Sequence, residues 1–254
     1  MSALGVKVNK IHSGDRYDMK INCDMGEGYS IYTVCDDGEM MKQISVANVA
    51  CGFHASDPVV MHQTVKLAKE NNVLVGAHPS FPDRQGFGRR EMKIGREELR
   101  DLIIYQVSAL KGFLDMYDMP MNHIKPHGSL YGLAARDDNT AHAIADVAEI
   151  FDVPLFGMAN TGHERVYKER GIPFVAELYA DLNYRGNGEL IIARQPPKVT
   201  PEQVVKRCLK AVEHGVVDTV DGKDVKIDFD IICVHSDTPG AIEAVIALKA
   251  ALAA

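Results

Sequence analysis

The sequence predicts an α/β fold in which seven parallel strands alternate with helices. Three observations lead to this expectation: seven short apolar runs, spacers of helical periodicity between most of them, and polar residues at the end of every run. Strands and helices in alternation produce a parallel sheet with right-handed crossovers. We therefore expect either a (β/α) barrel or a doubly wound sheet.

The apolar runs cover residues 19–23, 45–50, 73–77, 122–124, 154–158, 174–178 and 231–234. Each run is followed by side chains that are able to do chemistry, namely Asp24 and Glu27, Cys51, His54 and Asp57, His78 and Asp83, Lys125 and His127, Asn160 and His163, Asp181, and His235 and Asp237. Loops that leave the carboxyl ends of parallel strands converge and build the active site of such folds. The pattern therefore predicts one catalytic face.

The spacers place apolar residues at helical spacing over 58–71, 96–116, 139–150, 201–214 and 240–253. Asp57 followed by Pro58 is typical of a helix N-cap and first turn. Asp221 and Gly222, between two short alternating runs, predict a hairpin over 217–227. Two long segments, 78–95 and 181–200, are rich in Gly, Pro and Arg. Because long loops in compact domains are usually functional or disordered, we expect them to form lids over the site.

Composition favours a single domain that acts on a small molecule. The 254 residues are 46% hydrophobic and 25% charged, which is enough for one large core. A net charge of -7 without clusters of Lys and Arg argues against a nucleic-acid partner. Five cysteines without CxxC spacing indicate neither a disulfide framework nor a zinc ribbon. No apolar run approaches the roughly 20 residues of a membrane span, so we expect a cytoplasmic protein with no membrane partner.

Five longer motifs make a family resemblance visible. They lie at residues 22–27 (NCDMGE), 47–58 (ANVACGFHASDP), 76–80 (GAHPS), 86–90 (GFGRR) and 125–131 (KPHGSLY). In this order they closely resemble the LamB/YcsF family, which is the A subunit of bacterial 5-oxoprolinase. Further matches at 177–181 and 235–239 extend the resemblance over nearly all of the chain after residue 18.

The resemblance implies a fold and an activity. The fold is a seven-stranded (β/α) barrel of the glycoside hydrolase/deacetylase superfamily type over residues 19–254, with residues 1–18 as an N-terminal extension. The activity is the ATP-dependent opening of 5-oxo-L-proline to L-glutamate, together with separate B and C subunits. Since the chain has no P-loop motif, we expect ATP to act in the assembled complex, with a partner subunit supplying the nucleotide site. The chain has Ser56 and Ser236 where the family usually has Gly, and Leu182 where it commonly has Arg.

This chemistry needs a general base, a proton donor and cations over developing oxyanions. The predicted catalytic residues are the candidate bases Asp24, Glu27 and Asp57, the candidate acids His54 and His127, and the charge stabiliser Lys125. The predicted substrate-binding residues are Asn22, Asn48, His78, Arg89, Arg90, Asp181, His235 and Asp237. A divalent metal ion on Asp24, His54 and His78 is a separate hypothesis, because one carboxylate and two histidines suit such an ion.

Several interpretations stay open at this point. Asp57 is as easily explained by helix capping, His78 and His127 as buried histidines, and Arg89 with Arg90 as a solvated pair. Two other functions also remain: a stand-alone metal-dependent deacetylase or amidohydrolase, and a non-catalytic subunit that carries substrate for its partners.

Overall fold

The centre of the molecule is a six-stranded parallel sheet. The computed structural model describes residues 19–254, and the predicted N-terminal extension, residues 1–18, lies outside them. The strands are β1 (Ile21–Met25), β2 (Val46–Ala50), β3 (Leu74–His78), β4 (Leu155–Gly157), β5 (Phe174–Tyr179) and β10 (Ile231–His235). Their order in the sheet is β3-β2-β1-β10-β5-β4, and every neighbouring pair is parallel. The α/β class and six of the predicted strands are thus confirmed.

The seventh predicted strand, at 122–124, is reduced to one bridged residue. Ile124 makes single parallel bridges to Ala77 of β3 and to Leu155 of β4, so it links the two edge strands of the sheet. The segment is only five residues long between Pro120 and Pro126. Because proline has no backbone N–H to give to a sheet, the two prolines prevent a longer ladder.

The helices pack on the outside of this sheet. They are α1 (Asp37–Met41), α2 (Pro58–Glu70), α3 (Arg96–Asp115), α4 (Gly128–Ala134), α5 (Asp138–Phe151), α6 (Gly162–Glu169), α7 (Pro201–His214) and α8 (Ala241–Ala253). The five predicted helices are confirmed as α2, α3, α5, α7 and α8. Sequence periodicity missed α1, α4 and α6, because five to eight residues give too few turns to show a stripe.

Two short antiparallel hairpins complete the chain. One pairs β8 (Val216–Asp218) with β9 (Asp224–Lys226), which confirms the predicted hairpin. The other pairs β6 (Asn183–Tyr184) with β7 (Leu190–Ile191), inside the 181–200 segment, where the sequence predicts only a long loop. None of the helices found between residues 19 and 254 is both long and apolar enough to cross a membrane.

The strands arrange their inward side chains in layers. Alternate residues of a strand point to the same face. On the inner face, Val46, Phe156, Val175 and Ile231 form an apolar cluster separate from the main core under the helices. Two residues further along their strands, the same face carries Asn48, Glu177 and Cys233. The register pairs Asp24 with His235 still nearer the carboxyl ends. Polar side chains are therefore stacked above an apolar floor.

Gly76 on β3 provides room for one side chain of this interior. A Cβ at Gly76 would lie 2.1 Å from Cε1 of His123, whose ring stacks on Phe156 at 3.7 Å between centroids. We expect Gly76→Ala to lower the free energy of unfolding by about 1–3 kcal/mol, because the ring has to shift in a filled core. Gly112→Ala is the matched control, since open space surrounds Gly112 in α3. It should raise stability by up to about 1 kcal/mol. Urea unfolding measures both, and equal effects would contradict this packing.

Candidate active site

A buried ammonium group lies at the centre of the polar layer. Nζ of Lys125 is 3.2 Å from Oδ1 of Asp24 and 3.0 Å from Oε1 of Glu177. It also donates to Oδ1 of Asn22 at 3.3 Å and to Sγ of Cys233 at 3.0 Å. Only 2% of the Lys125 side chain is exposed. Four strands or strand-like segments are thus joined through one cation.

The charges in this layer stabilise one another. Burial alone would lower the pKa of Lys125, but the attraction of Asp24, followed by Cys233 and Glu177, raises it well above its ordinary value. Burial likewise opposes ionisation of Asp24, yet His78 and Lys125 hold the pKa of its carboxyl well below the ordinary value. The pair therefore stays charged at neutral pH, as a buried charge must be paired to persist.

Four more side chains form a compact group beside Asp24. Glu27, His54, His78 and His127 each offer a ligand atom, and these atoms lie within 4.8 Å of one another. The rings of His54 and His127 are stacked, with centroids 3.7 Å apart. Oε1 of Glu27 is 2.9 Å from Nε2 of His54 and 3.3 Å from Nδ1 of His127. All four are buried, and we call them the Glu27–histidine cluster.

Backbone carbonyls determine which nitrogen of two rings carries the proton. Nδ1 of His78 lies 2.7 Å from the carbonyl oxygen of Lys125, and Nε2 of His127 lies 2.8 Å from that of Phe87. Since a carbonyl only accepts, both of these nitrogens are N–H donors. The other two nitrogens, Nε2 of His78 and Nδ1 of His127, are 3.0 Å apart. Nε2 of His78 also lies 3.2 Å from Oδ2 of Asp24, so a proton or a metal ion at this point has Asp24 and His127 as its neighbours.

Burial controls the protonation of this cluster. It lowers the pKa of His54 and of His127 well below the ordinary value, with His78 and Arg89 adding to the effect. It raises the pKa of Glu27, to which the charges of Asp24 and Asp237 contribute. His54 and His127 are therefore unprotonated near neutral pH and hold free lone pairs. This state suits a base or a metal ligand better than the predicted role of acid.

His235 behaves in the opposite way. Its Nδ1 lies 3.1 Å from Oδ1 of Asp181, and the hydroxyl of Thr238 donates to the same carboxylate at 2.6 Å. Burial opposes protonation, but Asp181 outweighs it and raises the pKa of His235. The second nitrogen, Nε2, faces Asp24 at 3.7 Å. His235 is therefore the ring in this site best suited to hold a proton and to deliver it.

Arg89 connects the two long segments above the site. It forms a two-pronged ion pair with Asp237, at 2.7 and 3.1 Å, and donates to the carbonyl oxygens of Ala193 and Arg194. Only 6% of the Arg89 side chain is exposed. Residues 78–95 and 181–200 thus meet across the carboxyl end of the sheet. Their role as lids stays a prediction.

A cavity of about 690 Å³ opens beside the clusters. Glu177, Tyr131 and Arg89 line it, together with residues of the β6–β7 hairpin and of the β8–β9 hairpin. A smaller pocket of about 30 Å³, lined by Asp24, His78, Lys125, His127 and His235, shares Arg89 and Tyr131 with the large cavity. The large cavity therefore adjoins the pocket that holds the acids and imidazoles, and Arg89 and Tyr131 lie on the boundary between them.

Most of the predicted site residues are brought together here. The buried networks contain Asn22, Asp24, Glu27, Asn48, His54, His78, Arg89, Lys125, His127, Asp181, His235 and Asp237. Which of them act in catalysis is not decided by placement and stays a prediction.

Two predicted residues lie elsewhere. Asp57 is the N-cap of α2: its Oδ1 accepts from the backbone of Val59 and Val60, and its Oδ2 from that of Ser30. Arg90 is paired with Asp83, and 57% of its side chain is exposed. The structure favours the capping explanation for Asp57 and a surface ion pair for Arg90 over the predicted roles of base and substrate contact.

The predicted metal trio is also regrouped. His54 and His78 do belong to the group with metal-ligand spacing, but Glu27 and His127 complete it, and Asp24 does not. Asp24 instead accepts hydrogen bonds from Asn48 and Lys125. Asp24 was the expected carboxylate ligand because it directly follows the first strand. The chain turns at Gly26, which has a left-handed φ of +67°, and this turn brings Glu27 to the histidines instead.

Sequence reasoning missed Glu177 and Tyr131. Glu177 lies inside an apolar run rather than at its end, and Tyr131 lies one turn into α4. Neither residue directly follows a strand, which is the position from which the other site residues were predicted. The usable signal was the two-residue alternation of β5, which puts Glu177 on the same face as Tyr179.

The fold and the site define an α/β protein with an enclosed carboxylate–imidazole cluster at the carboxyl end of a parallel sheet. Residues 19–254 match the LamB/YcsF family, and the chain belongs to that family. The resemblance seen in the motifs is thus confirmed.

Three relatives illustrate the match. The lactam utilization protein lamB of Emericella nidulans is 47% identical over 227 residues, covering 88% of this chain and 89% of the relative. The 5-oxoprolinase A subunit of Vibrio cholerae is 38% identical over 239 residues, covering 92% of this chain and 97% of the relative. The crystal structure of a lactam utilization protein from Thermus thermophilus superposes with a TM-score of 0.85 at 38% identity, covering 92% of this chain and 95% of that one.

The Asp181–His235 pair makes stability depend on pH. The pKa of His235 is raised above 6.5, so its contribution is complete below that value and is lost as pH rises through the raised pKa. The pKa of Asp181 is lowered below 3.8, so its contribution is present above that value and is lost as pH falls through the lowered pKa. The Asp181–His235 pair should therefore stabilise the fold most between pH 3.8 and pH 6.5.

We expect Asp181→Asn to cost about 3–5 kcal/mol within that window, as for other broken buried pairs, and less at pH 9. The pKa of His235 should also fall below 6.5, because burial remains without the anion. Urea unfolding at several pH values and an NMR titration of the ring measure these effects. Asp115→Asn, at a carboxylate that is 61% exposed, is the control. A pH-independent difference would contradict the assignment.

Proposed function

We propose that this chain is the A subunit of a 5-oxoprolinase, which opens 5-oxo-L-proline to L-glutamate while ATP is hydrolysed to ADP and phosphate. It acts in this proposal together with separate B and C subunits. The observation that carries the proposal is the match to the A subunit of the Vibrio cholerae 5-oxoprolinase over nearly the full length of both chains. The enclosed acids and imidazoles beside a cavity supply the groups that such a reaction needs.

Opening a lactam requires activation of its carbonyl group. A five-membered lactam is a resonance-stabilised amide with little ring strain, so its hydrolysis is slow and not strongly downhill. Phosphorylation of the amide oxygen by ATP would make the carbonyl carbon electrophilic. Water then attacks that carbon, and the bond from carbon to ring nitrogen breaks as the nitrogen takes up a proton. The acyl phosphate left by this step is hydrolysed by a second water molecule to the carboxylate of glutamate and free phosphate.

The charge and protonation of each residue indicate which step of this reaction it is suited to assist. Asp24, held as a carboxylate, is suited to accept a proton from water. The unprotonated His127 has a single lone pair, on Nδ1, which accepts a proton only while no metal ion binds there. His235, whose pKa is raised by Asp181, is suited to donate a proton to the leaving nitrogen. Lys125 holds Asp24 in place and balances its charge. The Nε–H of Arg89, buried and without a hydrogen-bond partner among residues 19–254, is available for the substrate carboxylate.

A divalent metal ion in the Glu27–histidine cluster is part of the proposal. Nε2 of His78 and Nδ1 of His127 lie 3.0 Å apart, where both are able to bind one metal ion. Oε2 of Glu27 and Nδ1 of His54 are buried and accept no hydrogen bond from any described residue. Such a donor set fits zinc or a similar ion. When bound, the ion would polarise an oxygen of the substrate and lower the pKa of bound water.

The bridges of Ile124 bear on the architecture. We infer that this link closes the sheet into a seven-position (β/α) barrel of the glycoside hydrolase/deacetylase type. Residues 19–254 form its single domain, the protein is cytoplasmic, and ATP enters through a partner subunit because the chain has no P-loop.

Reconstitution with the B and C subunits tests the function. We expect release of glutamate and phosphate only when all three subunits and ATP are present. Asp24→Asn and His127→Ala should lower kcat at least 100-fold, because general acid–base groups contribute about 10²–10⁴-fold. Two variants are matched controls, Asp57→Asn, which keeps the helix cap, and His214→Ala, at a ring that is 66% exposed. Both should retain nearly full activity.

Each other result identifies a different function. Turnover by this chain alone, without ATP, would favour a stand-alone deacetylase or amidohydrolase. Full activity of the folded Asp24→Asn and His127→Ala variants would favour a subunit that only carries substrate.

Metal binding has a direct test. After dialysis against a chelator, the wild-type chain should bind one zinc ion, and its affinity should fall as pH is lowered because protons compete for the ligands. Glu27→Gln and His127→Ala should weaken binding at least tenfold, while His214→Ala should not. Calorimetry measures the affinity. Unchanged affinity in the two cluster variants would exclude this site.

A further inference from the structure

Two buried polar atoms at the large cavity accept or donate no hydrogen bond within residues 19–254. One is Oε1 of Glu177 and the other is the hydroxyl of Tyr131. Both residues are at most 3% exposed, and both line the cavity. A buried polar atom without a hydrogen bond costs about 1–3 kcal/mol in stability. Two such atoms at the same cavity therefore point to a ligand that forms the missing hydrogen bonds.

Glu177 directs one oxygen into the structure and leaves the other unused. Its Oε2 accepts a hydrogen bond from the hydroxyl of Tyr179 at 2.8 Å. Its Oε1 lies 3.0 Å from Nζ of Lys125, but the hydrogen bonds of Lys125 go to Asp24, Asn22 and Cys233. Charge is thus balanced at Glu177, while Oε1 keeps a free acceptor position.

Tyr131 lines the same cavity as this carboxylate and supplies a donor. Its ring packs edge-on against Tyr179, with centroids 5.7 Å apart. Burial, followed by the charge of Glu177, raises the pKa of Tyr131 well above its ordinary value. The hydroxyl stays protonated and is able to donate.

We propose that Tyr131 and Glu177 recognise the amide edge of the lactam. The hydroxyl of Tyr131 donates to the ring carbonyl oxygen, and Oε1 of Glu177 accepts the ring N–H. This inference rests on the proposed function and deepens it, because it names the groups that select a cyclic amide. A lactam presents one acceptor and one donor side by side, which is the complement of these two groups.

The same geometry explains how related rings are rejected. A lactone of equal shape has a ring oxygen where the lactam has N–H, so it would set a lone pair against the carboxylate of Glu177. Sites built to bond a particular N–H discriminate strongly against analogues that lack it, because their buried groups are left unpaired.

The test compares two ligands that differ at this one position, 5-oxo-L-proline and (S)-5-oxotetrahydrofuran-2-carboxylate. Calorimetry gives the affinity of the chain for each, and KM with the inhibition constant gives it for the assembled enzyme. In the wild type we expect the lactam to bind at least tenfold more tightly. In Glu177→Gln the ratio should fall below about threefold, because an amide is able to present either a donor or an acceptor.

Tyr131→Phe should act differently. Both ligands have the carbonyl group, so we expect both to weaken by at least about fivefold, as for loss of one hydrogen bond, with their ratio unchanged. Tyr167→Phe is the matched control: its hydroxyl is also buried and unpartnered in the described part of the chain, but it does not line the cavity. It should change neither affinity.

The outcomes separate this inference from the proposed function. A wild-type ratio in folded Glu177→Gln, or unchanged affinities in Tyr131→Phe, overturns the inference even when the assembled enzyme is active. If Glu177→Gln does not fold, the Tyr131→Phe result decides. Lactam selectivity that behaves as expected, without turnover in any assembly, supports the inference and defeats the proposed function. Failure of the wild type to bind either ligand overturns both.

Discussion

The ion pairs of Lys125 are the interaction on which the rest of the site depends. The ammonium is buried and lies between the carboxylates of Asp24 on β1 and Glu177 on β5. Removing one partner of such a group leaves a buried charge uncompensated and costs about 3–5 kcal/mol. Lys125 also brings its own segment, next to Ile124, against the sheet. The cation therefore determines where the acids of the site stand, as well as how they are charged.

Around this layer, the surroundings of each histidine determine whether its pKa is raised or lowered. Burial lowers the pKa of His54 and of His127, whereas Asp181 raises the pKa of His235. Pairs of groups whose surroundings push their pKa values apart are what acid–base chemistry at neutral pH requires. His127 and His235 line the smaller pocket, which adjoins the large cavity at Arg89 and Tyr131, and Glu177 lies on the wall of the large cavity.

Much of this site was accessible from the sequence, for a physical reason. Parallel strands bring their carboxyl ends together, so polar residues that follow apolar runs had to converge, as Asp24, His78 and His235 do. The exceptions follow from tertiary contacts. Asp57 also follows an apolar run, but its carboxylate oxygens accept hydrogen bonds from backbone N–H groups at the start of α2 and at Ser30. Glu177 lies in the middle of its strand rather than after it. Ile124 is a single bridge because prolines flank it, which apolar periodicity does not reveal.

A crystal structure of this chain with 5-oxo-L-proline tests the central claim most directly. We expect the lactam in the cavity of about 690 Å³, with its carboxylate at Arg89 and its amide edge at Tyr131 and Glu177. The ring carbonyl carbon should face Asp24 and His235. Ligand bound away from this cavity, or with its amide edge turned toward solvent, would contradict the claim.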